Sequence, residues 1–195
     1  MVREIVIFGN PVLREKCPEV TEITPEIRSL AQDMIDTMRT ADGVGLAAPQ
    51  IGVALQLAVV DVSEAEEPMT FLRVDGQDAA LADYSPLVFI NPQLDFPDKK
   101  KDVLTEGCLS FPELRADVIR PTNVMAHLTL LDGRTIVLET DGLFGRAIQH
   151  ETDHLNGILF IDRTSAAAKL TLKKKIRVMQ DEWGEKWTPG PETVS

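Results

Sequence analysis

The sequence predicts an α+β fold in which antiparallel or mixed β-sheets pack around a central helix carrying an H-E-x-x-H motif, with an N-terminal and a C-terminal helix beside it. Three observations carry this reading. Helical periodicity occurs in three separated blocks, residues 24–39, 142–155 and 166–183. Short runs rich in Val, Ile and Leu gather between the first two blocks. Helices and strands are therefore segregated, which argues against a doubly wound parallel sheet.

In the first block Ile27, Leu30, Ala31, Met34, Ile35 and Met38 fall at helical spacing. Thr24 suits the N-cap and Pro25 the first helical position, where a missing N–H costs nothing. The block ends at Ala41-Asp42-Gly43, where glycine releases the chain into a loop. Gly43-Val44-Gly45-Leu46-Ala47-Ala48-Pro49-Gln50 follows, small, apolar and uncharged, and residues 53–62 predict a strand. Residues 61–84 hold Asp61, Glu64, Glu66, Glu67, Asp75, Asp78 and Asp83 against Arg73 alone. They read as an exposed excursion with a hairpin through residues 69–74. Residues 86–92 and 103–109 predict further short strands. The runs 123–131 and 135–139 flank Asp132-Gly133, a hairpin signal because the tight turn needs positive φ. The second helix closes at Asn156-Gly157, and the third puts Leu172, Ile176, Met179 and Trp183 on one face. The end of the chain, 188–195, holds two prolines and reads as a flexible tail after a single domain over 1–187.

At 195 residues the chain suits one domain with a sizeable core, so metals or disulfides are not needed merely to hold it together. Its formal net charge of -11 argues against general binding to phosphate backbones. No apolar run reaches the roughly 18 residues of a membrane span. The start, Met1-Val2-Arg3-Glu4, shows no secretory signal pattern. Cys17 and Cys108 make at most one bridge, and reduced thiols in a cytoplasmic setting fit better. Cys17 and His127 stand apart from other chemistry-bearing residues and read as bystanders.

Gln149-His150-Glu151-Thr152-Asp153-His154 contains H-E-x-x-H. On a helix His150 and His154 are about 40° apart and can grip one metal ion, while Glu151, about 100° from His150, can reach a metal-bound water without being a ligand. Leu143 and Ala147 share the histidine face. Phe144, Ile148 and Leu155 lie beside it toward a core, and Arg146, Gln149, Thr152 and Asn156 point elsewhere. A third ligand is needed. No histidine follows His154, so Cys108, in Glu106-Gly107-Cys108-Leu109-Ser110, is the better candidate, with Glu182 or Glu185 as the alternative of a zincin-like endopeptidase. A metal-stabilised binding module is the non-enzymatic alternative.

Three motifs in order, residues 43–50, 106–110 and 149–154, make the chain resemble the bacterial-type peptide deformylases. The resemblance runs from Pro11-Val12-Leu13-Arg14 to the C-terminal helix and weakens in 61–84 and in the tail. It implies a single catalytic domain that removes the formyl group from N-formylmethionyl peptides, releasing formate. Cys108, His150 and His154 would hold a divalent metal, Fe²⁺ in the family, with Zn²⁺, Ni²⁺ or Co²⁺ able to replace it. Glu151 would carry the proton of the attacking water to the leaving amine. The oxyanion would be met by the metal, the Gln50 side-chain amide and the Leu109 N–H. The resemblance further implies that the segment at Gly45 pairs with the substrate backbone as an added strand. Val44, Leu143 and Ala147 would line the methionine pocket, Arg115 would lie near the substrate backbone, and Arg120 would pair with Asp153 behind the metal helix. Lys169, Lys173, Lys174, Lys175 and Arg177 form a basic cluster in an acidic chain, read either as a solvated face or as a contact with the ribosome.

Overall fold

The computed structural model describes residues 1–183 of the chain. Its strands are β1 (Gly45–Ala47), β2 (Leu57–Val60), β3 (Leu72–Val74), β4 (Gln77–Asp78), β5 (Leu87–Asp95), β6 (Lys101–Cys108), β7 (Phe111–Pro121), β8 (Val124–Thr129) and β9 (Thr135–Thr140). Its helices are α1 (Pro25–Thr40), α2 (Gly142–Leu155) and α3 (Ala166–Trp183). One seven-stranded sheet runs β1-β2-β5-β8-β9-β3-β4, a second holds β6 and β7, and the strand pairings are antiparallel.

The large sheet lies between two helices, and alternation along its strands sorts the residues. Ala58, Val60 and Phe89 join Phe144 and Ile148 of α2 in one cluster. Leu57, Val59 and Ile90 join Met34 and Met38 of α1 in another. A strand covered on both faces needs an unbroken apolar run, and Leu57-Ala58-Val59-Val60 provides it. Thr24 caps α1 by accepting from the Ile27 N–H at 3.4 Å. Asn156 and Gly157 (φ 69°) end α2. The small sheet forms a third cluster in which Phe111 and Val118 of β7 meet Phe160 and the Leu172 and Met179 side chains of α3, with Ile176 packed against it.

The structure corrects the sequence reading in several places. The strand expected over 53–62 shrinks to β2, because Gly52 (φ 80°) turns the chain after a 3-10 turn, Ala48–Ile51. The hairpin expected through 69–74 is displaced to β3–β4, turning on Asp75 and Gly76, both at positive φ. β3 also pairs with β9, so this part of the excursion belongs to the main sheet. β7 was not anticipated, although Leu114, Ala116 and Val118 alternate in the sequence and are buried. β1 shows no period in its three residues, and only the resemblance pointed to an edge segment at Gly45. The tail expected at 188–195 lies outside the described residues, as does the domain end at 187 and the Trp183 side chain. Among the described residues no helix is long and apolar enough to cross a membrane.

Cys17 is buried, and burial pushes its thiol up to about 11. His127 sits on the sheet surface, 3.1 Å from Asp95 Oδ2. Both stand apart from the cluster described next.

Candidate functional site

α2 places two imidazoles one turn apart, their ring centroids 5.1 Å from each other. β6 ends at Cys108, where the register against β7 shifts, and this brings the thiol to the helix. Cys108 Sγ lies 3.3 Å from His154 Nε2, and one donor atom each from Cys108, His150 and His154 fall within 4.8 Å of one another. Glu182's side chain and Glu185 lie outside what is described.

Opposite the helix, Gln50 is buried in the 3-10 turn after β1. Its Oε1 accepts from the Ala47 N–H at 2.8 Å, which fixes the amide with Nε2 directed at Cys108 Sγ (3.4 Å) and Ser110 Oγ (3.3 Å). The N-terminal segment stitches these pieces together. Val6 N–H donates to Gln50 O at 2.8 Å and Phe8 N–H to Ser110 O at 2.9 Å. Leu109 sits at the β6–β7 tip, packed so closely on Gly43 that a Cβ there would lie 2.7 Å from its Cδ1. Val44 is exposed beside buried Gly45 on β1, the edge strand of the large sheet. Leu143 is half-buried and Ala147 buried on α2. Arg115 is exposed on β7, in register with Gly107.

Behind the histidines lies a buried ion network. Glu106 Oε1 accepts from Arg120 Nε and Arg146 Nη1, both at 2.6 Å, and Oε2 accepts from Arg120 Nη2 at 3.0 Å. His150 Nδ1 stands 2.9 Å from that same Oε2, leaving Nε2 as the ring's other donor atom. Arg120 Nη1 reaches Asp153 Oδ2 at 2.7 Å, and Arg163 Nη2 reaches Asp153 Oδ1 at 2.6 Å. Arg146 also pairs with Asp102. Sequence reasoning gave no role to Glu106, Arg146 or Arg163. Phe160 stacks on the His150 ring (centroids 6.1 Å, planes 26° apart) and is itself braced edge-on by Phe111.

The electrostatics call for a cation. Burial works against the charge on Glu106, yet His150 and Arg120 hold it well below the usual carboxylate range. Burial would lower His150, but the Cys108 thiol and Glu106 outweigh it and lift the ring to about 10. Burial and the neighbouring His150 charge push His154 well below its ordinary value. Burial pushes Glu151 up to about 7. Among the described residues, Glu151 Oε2 and His154 Nδ1 are buried without hydrogen-bond partners. A pocket holding a thiol, two imidazoles and a spare carboxylate, and raising a buried imidazole, fits one divalent ion of the kind that favours S and N donors.

A sheet-framed helix with this donor set, a neighbouring free carboxylate and a fixed amide across from it defines a metal-dependent hydrolase. The family profile described as polypeptide deformylase matches residues 2–170, and the chain belongs to that family. It is 42% identical over 176 residues to the peptide deformylase of Methylacidiphilum infernorum, covering 90% of this chain and 92% of that one. The crystal structure of peptide deformylase from Thermotoga maritima superposes with a TM-score of 0.72 at 35% identity, covering 85% of this chain and 99% of that one. The enzyme from Synechococcus elongatus, solved in complex with actinonin, gives 0.73 at 34% identity, covering 96% and 91%. Family membership makes the chain a metallohydrolase that removes the N-formyl group from newly made polypeptides.

Proposed function

We propose that Cys108, His150 and His154 hold the metal, ferrous iron by preference, and that Glu151 moves the proton while formate is released from N-formylmethionine. The convergence of those three donors within 4.8 Å, beside Glu151, carries the reading. A divalent ion there would supply Lewis acidity toward the formyl oxygen and would lower the pKa of a water so that it can give up a proton near neutral pH. Glu151 accepts the proton of the attacking water and delivers it to the leaving amine nitrogen. A buried carboxylate raised toward neutrality suits a group that must both take and release a proton. The Gln50 amide, locked by Ala47, donates to the developing oxyanion together with the Leu109 N–H, and the loss of one such donor typically costs about 10²–10³ in rate.

The open edge of β1 at Gly45 takes the peptide as an added strand, an exchange of main-chain hydrogen bonds. Val44, Leu143 and Ala147 line the methionine pocket. Leu143 precedes His150 by seven residues, two helical turns, and so lies on the same side of α2. Arg115, across from Gly107, meets the substrate backbone. Glu106 orients His150 through Nδ1. Residues 1–187 form the single catalytic domain, working in the cytoplasm on nascent chains. The exposed Lys173, Lys174, Lys175 and Arg177 of α3 present a basic surface to the ribosome, Lys173, Lys174 and Arg177 on the side away from buried Leu172 and Met179, and Lys169 extends it.

The test is formate release from a formyl-Met tripeptide, assayed anaerobically with Fe²⁺ and repeated after chelation. Release should vanish with the chelator and return with metal. Glu151→Gln should keep the metal and lose turnover. Formate release that ignores the chelator, or full activity in Glu151→Gln, overturns the reading.

A further inference from the structure

We propose that the segment joining β2 to β3 is a strap that sets the width of the methionine cleft, with Thr70 and Asp141 as its positioning residues. The inference rests on the proposed reading in which Val44 and Leu143 both form walls of the methionine pocket. What it adds is the element that holds those walls apart.

The strap has a clasp at each end. At the first, the Asp61 N–H donates to Val44 O at 2.9 Å, which ties the strap to the substrate edge. The Asp61 carboxylate is itself held by Arg39 Nη2 at 2.7 Å, Ser63 Oγ at 2.7 Å and Ser85 Oγ at 2.8 Å. At the second, Pro68 O accepts the Phe144 N–H at 2.9 Å, in the first turn of α2. Thr70 donates twice to Asp141, from its N–H at 2.7 Å and from Oγ1 at 2.5 Å. Thr140 Oγ1 donates to Phe71 O at 2.8 Å just beyond.

The approach at the second clasp leaves no slack. Gly142 has φ 59°, and a Cβ there would lie 2.8 Å from Pro68 O and 2.9 Å from Met69 Cα. Leu143 is the next residue. The first N–H groups of a helix lack partners within it, so the start of α2 is free to fray unless something outside holds it. Here the strap does so, and the position of Leu143 follows from where the strap lies. Ten residues of chain, 61–70, thus join Val44 to Leu143 by a route separate from the metal ligands.

Thr70 is exposed, so its hydroxyl can be removed without opening the core. Thr70→Val, Thr70→Ser, Asp141→Asn and Leu143→Ala are compared on tripeptides beginning with formyl-Met and with formyl-Ala. Thr70→Val and Asp141→Asn should each raise KM for the formyl-Met peptide roughly tenfold, the low end of what one methylene contributes in an apolar pocket. The preference over formyl-Ala should narrow by the same factor, with kcat and bound metal per chain unchanged. Thr70→Ser should behave as the parent. In metal-free protein, hydrogen exchange at the Phe144 amide should quicken in Thr70→Val. If Leu143→Ala raises KM while Thr70→Val leaves KM and preference alone, the strap is refuted and the pocket stands. If Leu143→Ala also changes nothing, the pocket assignment fails and the strap with it. Loss of kcat or metal in Thr70→Val would make Thr70 a folding residue and overturn the proposal.

Discussion

Gly45 lies against the Glu151 carboxylate with no room for a side chain between them: a Cβ at position 45 would stand 2.8 Å from Glu151 Cδ. The contact crosses from the edge strand of the sheet to the helix of the histidines. Glycine is required here for space, not for its backbone freedom.

Gly45→Ala is therefore expected to displace Glu151 from its working position. Formate release should fall roughly 10²-fold or more, the scale of losing a positioned proton carrier. Metal per chain should stay near the parent value, because the ligand atoms belong to other residues. Steady-state kinetics with metal analysis on the same samples checks both halves.

Glu106→Gln should behave differently. The amide removes the negative charge from between Arg120 and Arg146, leaving two buried guanidiniums short of a counter-charge. Breaking such a buried pair costs about 3 kcal/mol or more, and for a domain of this size that lowers Tm by roughly 10 °C. The weaker hold on His150 Nδ1 should reduce metal affinity about 10–100-fold. Thermal melts of metal-free protein separate the first effect from the second, which competition against a chelator measures.

Asp61→Asn tests the pH dependence of the first clasp. Burial works against the Asp61 charge, but hydrogen bonds from Arg39, Ser63 and Ser85 overcome it and hold the carboxyl near 2, below its ordinary 3.8. A lowered acid contributes its stability above the ordinary value and loses it as pH falls through the folded one. The parent should thus exceed Asp61→Asn by ~1.5 kcal/mol at neutral pH, the scale of a charge-assisted hydrogen bond. The gap should close between about pH 4 and pH 2. Denaturant titrations across that range read it directly.

The basic face of α3 gives a fourth expectation. Reversing it with Lys173/Lys174/Lys175→Glu should reduce pelleting with ribosomes and flatten the salt sensitivity of what remains, while turnover on a free tripeptide is unchanged. Equal pelleting of parent and variant would remove the ribosome from the account.

How much of this was legible beforehand varied with the kind of signal. α2 was readable to the residue and α3 from its start, because periodicity marks both and Asn156-Gly157 closes α2. β1 was not, since three residues in an uncharged run carry no period, and β7 was hidden by Arg120 at a buried position of its alternating face. The motif residues Cys108, His150 and His154 were nominated from spacing and resemblance, and the fold brings them together. Of the buried network only the Arg120–Asp153 pair was expected, from the resemblance; the places of Glu106 and Arg146 in it were not. A helical wheel puts Arg146 only about 40° from His150, but its partner Glu106 is 40 residues earlier. Which charges a fold will bury is decided by tertiary packing, and local sequence does not carry it.

That network has a consequence for how the chain can vary. Asp102, Glu106 and Asp153 balance Arg120, Arg146 and Arg163, so the group is neutral while the chain as a whole stands at -11. Surface charge can drift one residue at a time. The four buried members, Glu106, Arg120, Arg146 and Asp153, are bound to a common inheritance: a lone sign change strands a partner in the interior, whereas a matched exchange of both members can pass. Lineages of this enzyme should therefore differ here by pairs, or not at all.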